Sequence, residues 1–264
     1  MQANTRKFTG YALVALVVSA LGWSALQPLP FAIVEPGPAF NVLASNHGSP
    51  IIQSSVSVKK DPEGRLDLLT VSLWGSPTHT PNFLQLVGAY FSNDQVVYPL
   101  EVFYPQGQNP SDVTAAQKKM FSDSEKASVS AALSKLGLSE NPPTIHVNLG
   151  EVGGPSGGMM FTLGVIAKLT PGSLTGGKNI AGTGTIDAAG HVGKIGEIRL
   201  KMLSAKRAGD KFFLMPVGNC AEALNHVPAG LTVYAVGNLA EALKAVREIA
   251  TDQSSLGVKG CVSK

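Results

Sequence analysis

The pattern of apolar and polar positions changes period several times along the chain. From Phe8 to Leu26, "FTGYALVALVVSALGWSAL", there is no charge and no polar face. Roughly 19 residues at 1.5 Å each span about 28 Å, close to the hydrocarbon thickness of a bilayer. The pattern therefore predicts a single transmembrane anchor within residues 1–30, ended near Leu26 by Pro28, Pro30 and Pro36. The alternative is a cleaved signal peptide with small residues around Ala20. In the anchor reading Arg6 and Lys7 stay in the cytoplasm, and in both readings the body of the protein lies outside it. Phe31 to Gly48, "FAIVEPGPAFNVLASNHG", reads as an exit linker rich in Pro, Gly and small residues.

Period-two stretches follow. "IIQSSVSV" and "RLDLLTVSLW" predict strands, with "DPEG" between them as a hairpin turn. "FLQLVGAYFS" predicts a short helix on that sheet, and "QVVYPLEVFYP" is extended. Ala115 to Leu136 is the clearest helix, with Met120, Ala127, Ala131 and Leu133 on one face and Gly137 ending it. Beyond it strands and helices interleave. "TIHVNL", "NIAGTGTID", "KFFLMP" and "LTVYAV" are strands; Gly158 to Leu169, Glu197 to Ala208, "AEALNHV" and "LAEALKAVREIA" are helices. This alternation means α/β or α+β, and excludes a sandwich. The tail beyond Thr251 is polar and predicted irregular apart from Cys261.

Composition narrows the function. The 264 residues carry a formal net charge of only +3, with Lys and Arg scattered, which argues against nucleic acid as a partner. No His or Cys spacing resembles a metal site, and no cofactor is implied. "GSLTGGKN" falls short of a phosphate loop because Asn179 stands where Ser or Thr would hold magnesium. "SVKK" at Ser57 lies in a strand-like run, not the helix that an S-x-x-K site needs. The two cysteines, Cys220 and Cys261, both fall in the part placed outside the cytoplasm. Their even count and compartment predict a bridge that pins the tail; the alternative is one buried and one flexible thiol.

"GGPSGG" sets Ser156 in a G-x-S-x-G turn before an apolar helix. Such a turn exposes a nucleophile, and N–H groups at the helix start can stabilise an oxyanion. Ser156 as a plain helix N-cap is the competing reading. A nucleophile needs a base. Asp187 and His191 flank one short turn, and His226 lies in an amphipathic helix, so no histidine has a persuasive context. Lys201 shares a helix face with Ile198 and Ala205 and can act as base if burial keeps it neutral; a snorkelling surface lysine is the alternative.

Taken together, "GGPSGG", "IAGTGTIDAAGHVGKIG" and "KMLSAKRAG...FFLMPVGN" resemble the proteolytic domain of the Lon family of serine proteases. The resemblance implies an α+β fold, Ser156 as nucleophile, Lys201 as its base and Thr183 beside the dyad. It covers roughly Ala115 to Val246, within a proteolytic domain expected at 115–250, after a linker and β-rich region at 31–114 and before a tail at 251–264. "PGPAFNVL" and "MFSDSEKASVSAAL" are similar to membrane-anchored, ATPase-less Lon-like proteins of Gram-positive bacteria. Those usually carry a PDZ domain where only "SKLGLSENPPTIHVNLGE" intervenes here. The implied activity is ATP-independent cleavage of extracytoplasmic or membrane-associated proteins by a single-pass membrane protein, with a hexameric ring as the family's assembly. A non-catalytic extracytoplasmic scaffold is the alternative. Two departures stand out: Gly153 replaces an aspartate that many Lon enzymes carry, and Glu197 replaces the second glycine of the I-G-G stretch before Lys201. A carboxylate facing Lys201 would favour its charged form.

Overall fold

The computed structural model describes residues 2–46, 48–61, 64–150, 153–253 and 258–261. In chain order the elements begin with α1 (Gln2–Ala25), β1 (Phe31–Asn41), β2 (Ser45–Asn46), β3 (Ser49–Pro50), β4 (Ile52–Ser54), β5 (Arg65–Trp74), α2 (Phe83–Phe91) and β6 (Val96–Pro99). They continue with α3 (Pro110–Leu136), β7 (Ile145–Val147), α4 (Gly158–Leu169), β8 (Asn179–Gly182), β9 (Thr185–Ile186) and β10 (Val192–Gly193). Last come α5 (Ile198–Ala208), β11 (Phe212–Pro216), α6 (Cys220–Ala223), β12 (Thr232–Val236), α7 (Leu239–Ala250) and β13 (Val258–Lys259).

Two compact units divide the chain. The smaller comprises Met1–Glu35 and Leu73–Pro110. In it the start of β1 pairs antiparallel with β6, Phe31 opposite Pro99 through Val34 opposite Val96. The expected N-terminal helix forms as α1. Among the described residues, however, no helix is long and apolar enough to cross a membrane, so the transmembrane assignment is not carried by the structure. Thr9, Gly10, Ser19, Gly22 and Ser24 dilute the apolar content of α1. The expected helix α2 forms too, closed by a capping box between Asn82 and Gln85. It does not bury a face on a sheet as expected, since Ala89 is its sole buried residue.

The larger unit comprises Pro36–Ser72 and Ser111–Lys264. Its main sheet runs in the order β13, β12, β11, β8, β5, β1. β1 and β5, from the stretch expected as linker and hairpin ahead of the proteolytic domain, belong to this sheet, β5 pairing parallel with β8, Arg65 opposite Asn179. Among the described residues β4 and β5 do not pair as the expected hairpin. β4 pairs instead with β7, Ile52 opposite Val147. Pro62 and Glu63 of its turn lie outside the described residues.

The central strands are largely apolar on both sides because both faces of the sheet are covered, with Asp67 and Thr232 as buried polar exceptions. Leu66, Ile180, Leu214 and Tyr234 point into one core with α3, α4 and α7. Their neighbours Ala181, Phe213, Met215 and Val233 point into the other, filled by Ile198 and Met202 of α5 and Ala223 of α6. This is the period of two that places successive side chains on opposite faces. The tail departs from the expected irregular segment: β13 adds a parallel strand beside β12, and Cys261 bridges to Cys220 with 5.6 Å between Cα atoms.

Candidate active site

The parallel strand β8 ends at Gly182, and the chain turns sharply through Thr183 and Gly184. The turn before α4 is laced to this strand exit from both sides. Gly184 N–H donates to Ser156 O at 2.8 Å, and Met159 N–H donates to Gly184 O at 3.0 Å. Glycine is required here for two reasons. Gly154 has φ +82°, and at Gly157 an added Cβ would overlap Leu68 Cδ1. The N-cap of α4 is Gly157, with no side-chain cap bond, so Ser156 lies one residue outside the helix and does not cap it.

The Ser156 hydroxyl faces Lys201 instead. Lys201 Nζ lies 2.7 Å from Ser156 Oγ and 3.0 Å from Thr183 Oγ1. Thr183 Oγ1 in turn donates to Ser156 O at 3.0 Å, so the threonine ties the lysine to the backbone of the serine. All three residues singled out in the sequence therefore meet at one point. Lys201 is 3 % exposed and Thr183 is fully buried. Burial pushes the Lys201 ammonium down from 10.5 to about 8, while the Glu197 carboxylate pulls weakly the other way. The snorkelling alternative fails because the whole side chain is enclosed. Ser156 opens on a cavity of about 300 Å³ lined by Phe40, Leu68, Val71, Phe121, Gly154 and Lys201.

Glu197 explains the family's glycine. It is the N-cap of α5 with φ +59° and ψ +36°, the left-handed region that glycine enters freely and other residues enter at a cost of about 1 kcal/mol. Gly153 is exposed, near Gln117, and adds no charge to the groove.

The other candidates are engaged elsewhere. Asp187 and His191 pair with each other at 2.8 Å across their exposed turn. Lys178 of the near-phosphate loop binds Asp252 at 2.6 Å. Lys60 of the S-x-x-K stretch donates to Thr170 O at 2.6 Å. Among the described residues, no group of three or more potential metal ligands occurs.

Sequence reading placed only part of the inner face of α3, Ala131 and Leu133 being buried as expected. It expected Met120, Ala127, Ala131 and Leu133. Met120 is exposed, and the buried face is Phe121, Ser124, Ser128, Ala131, Ala132 and Leu133. Small residues spaced three or four apart are the signal that marks it.

A serine on a glycine turn laced to the exit of the parallel strand β8, held by a buried amine, defines a site of the serine-hydrolase class. Residues 97–249 match the Lon protease (S16) C-terminal proteolytic domain, and the chain belongs to that family of serine-type peptidase domains. It is 30% identical over 162 residues to the Lon protease of Buchnera aphidicola subsp. Schizaphis graminum, covering 56% of this chain and 21% of that protein. It is 32% identical over 165 residues to Lon protease 2 of Herpetosiphon aurantiacus, covering 58% and 20%. With the Lon protease of Clostridioides difficile it shares 40% over 86 residues, covering 32% and 10%. The chain thus spans about a fifth of the length of the first two of these relatives.

Proposed function

We propose that this protein is a serine endopeptidase that uses a Ser156–Lys201 dyad and needs no ATP for bond cleavage. The observation that carries this reading is the 2.7 Å approach of a fully enclosed Lys201 amine to Ser156 Oγ. Neutral Lys201 takes the proton of Ser156 as its oxygen attacks the scissile carbonyl. Thr183 keeps the amine on the line of that transfer. The N–H groups of Ser156 and Gly157 make no hydrogen bond among the described residues and are available to the oxyanion. Lys201 then returns the proton to the leaving amine, and water releases the acyl group by the same route. Proton transfer to a pre-set amine requires no nucleotide.

The substrates we propose are proteins or peptides outside the cytoplasm or at a membrane surface. Support comes from the Cys220–Cys261 bridge, a feature of oxidising compartments. Membrane attachment through α1 is supported by its exposed Leu13, Leu16, Val18 and Leu21. Assembly into a hexameric ring follows from the family resemblance alone.

Ser156→Ala and Lys201→Met should each abolish cleavage of a fluorogenic peptide in nucleotide-free buffer while leaving the circular dichroism unchanged. Wild-type turnover in either folded variant would end the dyad assignment. Alkaline carbonate extraction of cell membranes, with added protease on intact cells, tests the location. A fully soluble, protease-protected protein would overturn it.

A further inference from the structure

The nucleophile turn has a second support, from α3. Ser124 Oγ of α3 donates to Pro155 O at 3.0 Å, directly before the nucleophile. One turn further along α3, Ser128 Oγ lies 2.9 Å from Gly158 O, just after it, and 2.6 Å from Ser124 O. Thr162 of α4 completes the row, its Oγ1 donating to Gly158 O at 3.0 Å and lying 3.2 Å from Ser128 O. Ser124 is 6 % exposed, and Ser128 and Thr162 are fully enclosed.

Serine is a costly residue in these positions. Its hydroxyl competes with helical carbonyls, and alanine would favour the helix more. Gly158 also sits so close that an added Cβ would lie 2.9 Å from Ser124 Oγ. What the hydroxyls supply is orientation. Carbonyl and N–H point in opposite directions across a planar trans peptide. Drawing Pro155 O toward α3 therefore turns the Ser156 N–H away from α3, and holding Gly158 O fixes the far end of the same turn.

We propose that Ser124 and Ser128 are positioning residues for peptide-bond cleavage, holding the carbonyls on either side of Ser156 so that its hydroxyl and backbone N–H groups keep their geometry. The inference rests on the Ser156 nucleophile proposed above. The hydroxyls touch neither substrate nor Lys201, so their loss lowers kcat and leaves KM and the pH midpoint of the reaction in place.

The test compares Ser124→Ala, Ser128→Ala and Ser124→Thr in the full chain, with Ser156→Ala as control. Steady-state kinetics on one fluorogenic peptide, a pH profile and a thermal melt are recorded for each. Expected for both alanine variants is a kcat loss on the order of tenfold to a hundredfold, with KM within about twofold. The melting temperature should be unchanged or raised, and Ser124→Thr, which keeps the hydroxyl, should recover most of the Ser124→Ala loss. Wild-type kcat in the folded alanine variants overturns the proposal, as does a loss that merely follows the unfolded fraction. So does a loss that Ser124→Thr does not recover. Should one alanine variant fail to fold, the other decides. If Ser156→Ala still cleaves, the nucleophile reading falls and takes this one with it; if only Ser156→Ala is dead, the positioning role alone falls.

Discussion

Glu197 and Lys201 make a sharp test of how the amine is kept reactive. Burial brings the Lys201 ammonium from 10.5 down to about 8, against the pull of Glu197. At pH 7 this leaves about one enzyme molecule in ten with a neutral amine, where an unperturbed lysine would give about one in three thousand. The enclosure is thus worth roughly 300-fold in competent enzyme at neutral pH. The rate constant kcat/KM should rise about tenfold per pH unit up to about pH 8 and level off above it. Replacing Glu197 by Gln removes the opposing charge and should move the midpoint down by a few tenths of a unit, since the carboxylate is partly exposed and screened. Gln is the proper substitution, because Gly would also relieve the left-handed backbone at this position and confound the result. The assay is kcat/KM against pH at constant ionic strength, with a peptide that has no ionisable group in the range. A flat profile from about pH 6 to about pH 9, or a midpoint that moves upward in Glu197→Gln, would refute the reasoning.

The enclosed amine also weighs on stability. Unfolded chains hold the Lys201 proton to about 10.5 and folded ones release it near 8, so wild-type stability rises with pH across that window, by about 3 kcal/mol. Lys201→Met escapes the cost and should be more stable by about 1–3 kcal/mol at neutral pH in urea melts, less the two lost hydrogen bonds, with the gain fading toward about pH 10. Asp210 works in the opposite sense. Its carboxyl is pushed up from 3.8 to about 7 by burial, then by the charge of Asp67, with Arg65 opposing, and neither oxygen has a hydrogen-bond partner among the described residues. Its contribution to stability is present below about pH 4 and lost as pH rises toward about 7, so Asp210→Asn should gain on wild type at pH 8 and not at pH 4 in parallel denaturant titrations. Breaking the bridge across 41 residues, by Cys261→Ser, should cost about 4 kcal/mol on the chain-entropy model, read as a lower melting temperature that reductant reproduces in wild type.

Much of this site was legible in the sequence because its residues carry their own context. The glycines around Ser156 mark a turn no other residue could make, and Lys201 sits among apolar helix neighbours that foretell its burial. The apolar run through Phe213, Leu214 and Met215 was legible as a strand, and its parallel pairing with β8 and β12 came only from the structure. What stayed hidden depends on distant pairing. Nothing near "IIQSSVSV" tells that Ile52 finds Val147 rather than the following strand. The inner face of α3 was read correctly at Ala131 and Leu133 and missed at its two serines, whose burial is justified by carbonyls roughly thirty residues ahead at Pro155 and Gly158. The short segment that becomes β13 has no strand signature and owes its place beside β12 to the neighbouring Cys261 bridge.

Helix α4 buries all of its residues except Lys168. Its amides can exchange with solvent only when the whole larger unit opens, so they should belong to the slowest-exchanging set in the molecule. The nucleophile sits in the turn just ahead of that helix, tied to the exit of β8 through Gly184, which also accepts from Met159 N–H of α4. Loss of activity on heating should therefore follow the unfolding of the larger unit, because the catalytic turn is held to that buried helix and to the exit of β8 by backbone hydrogen bonds.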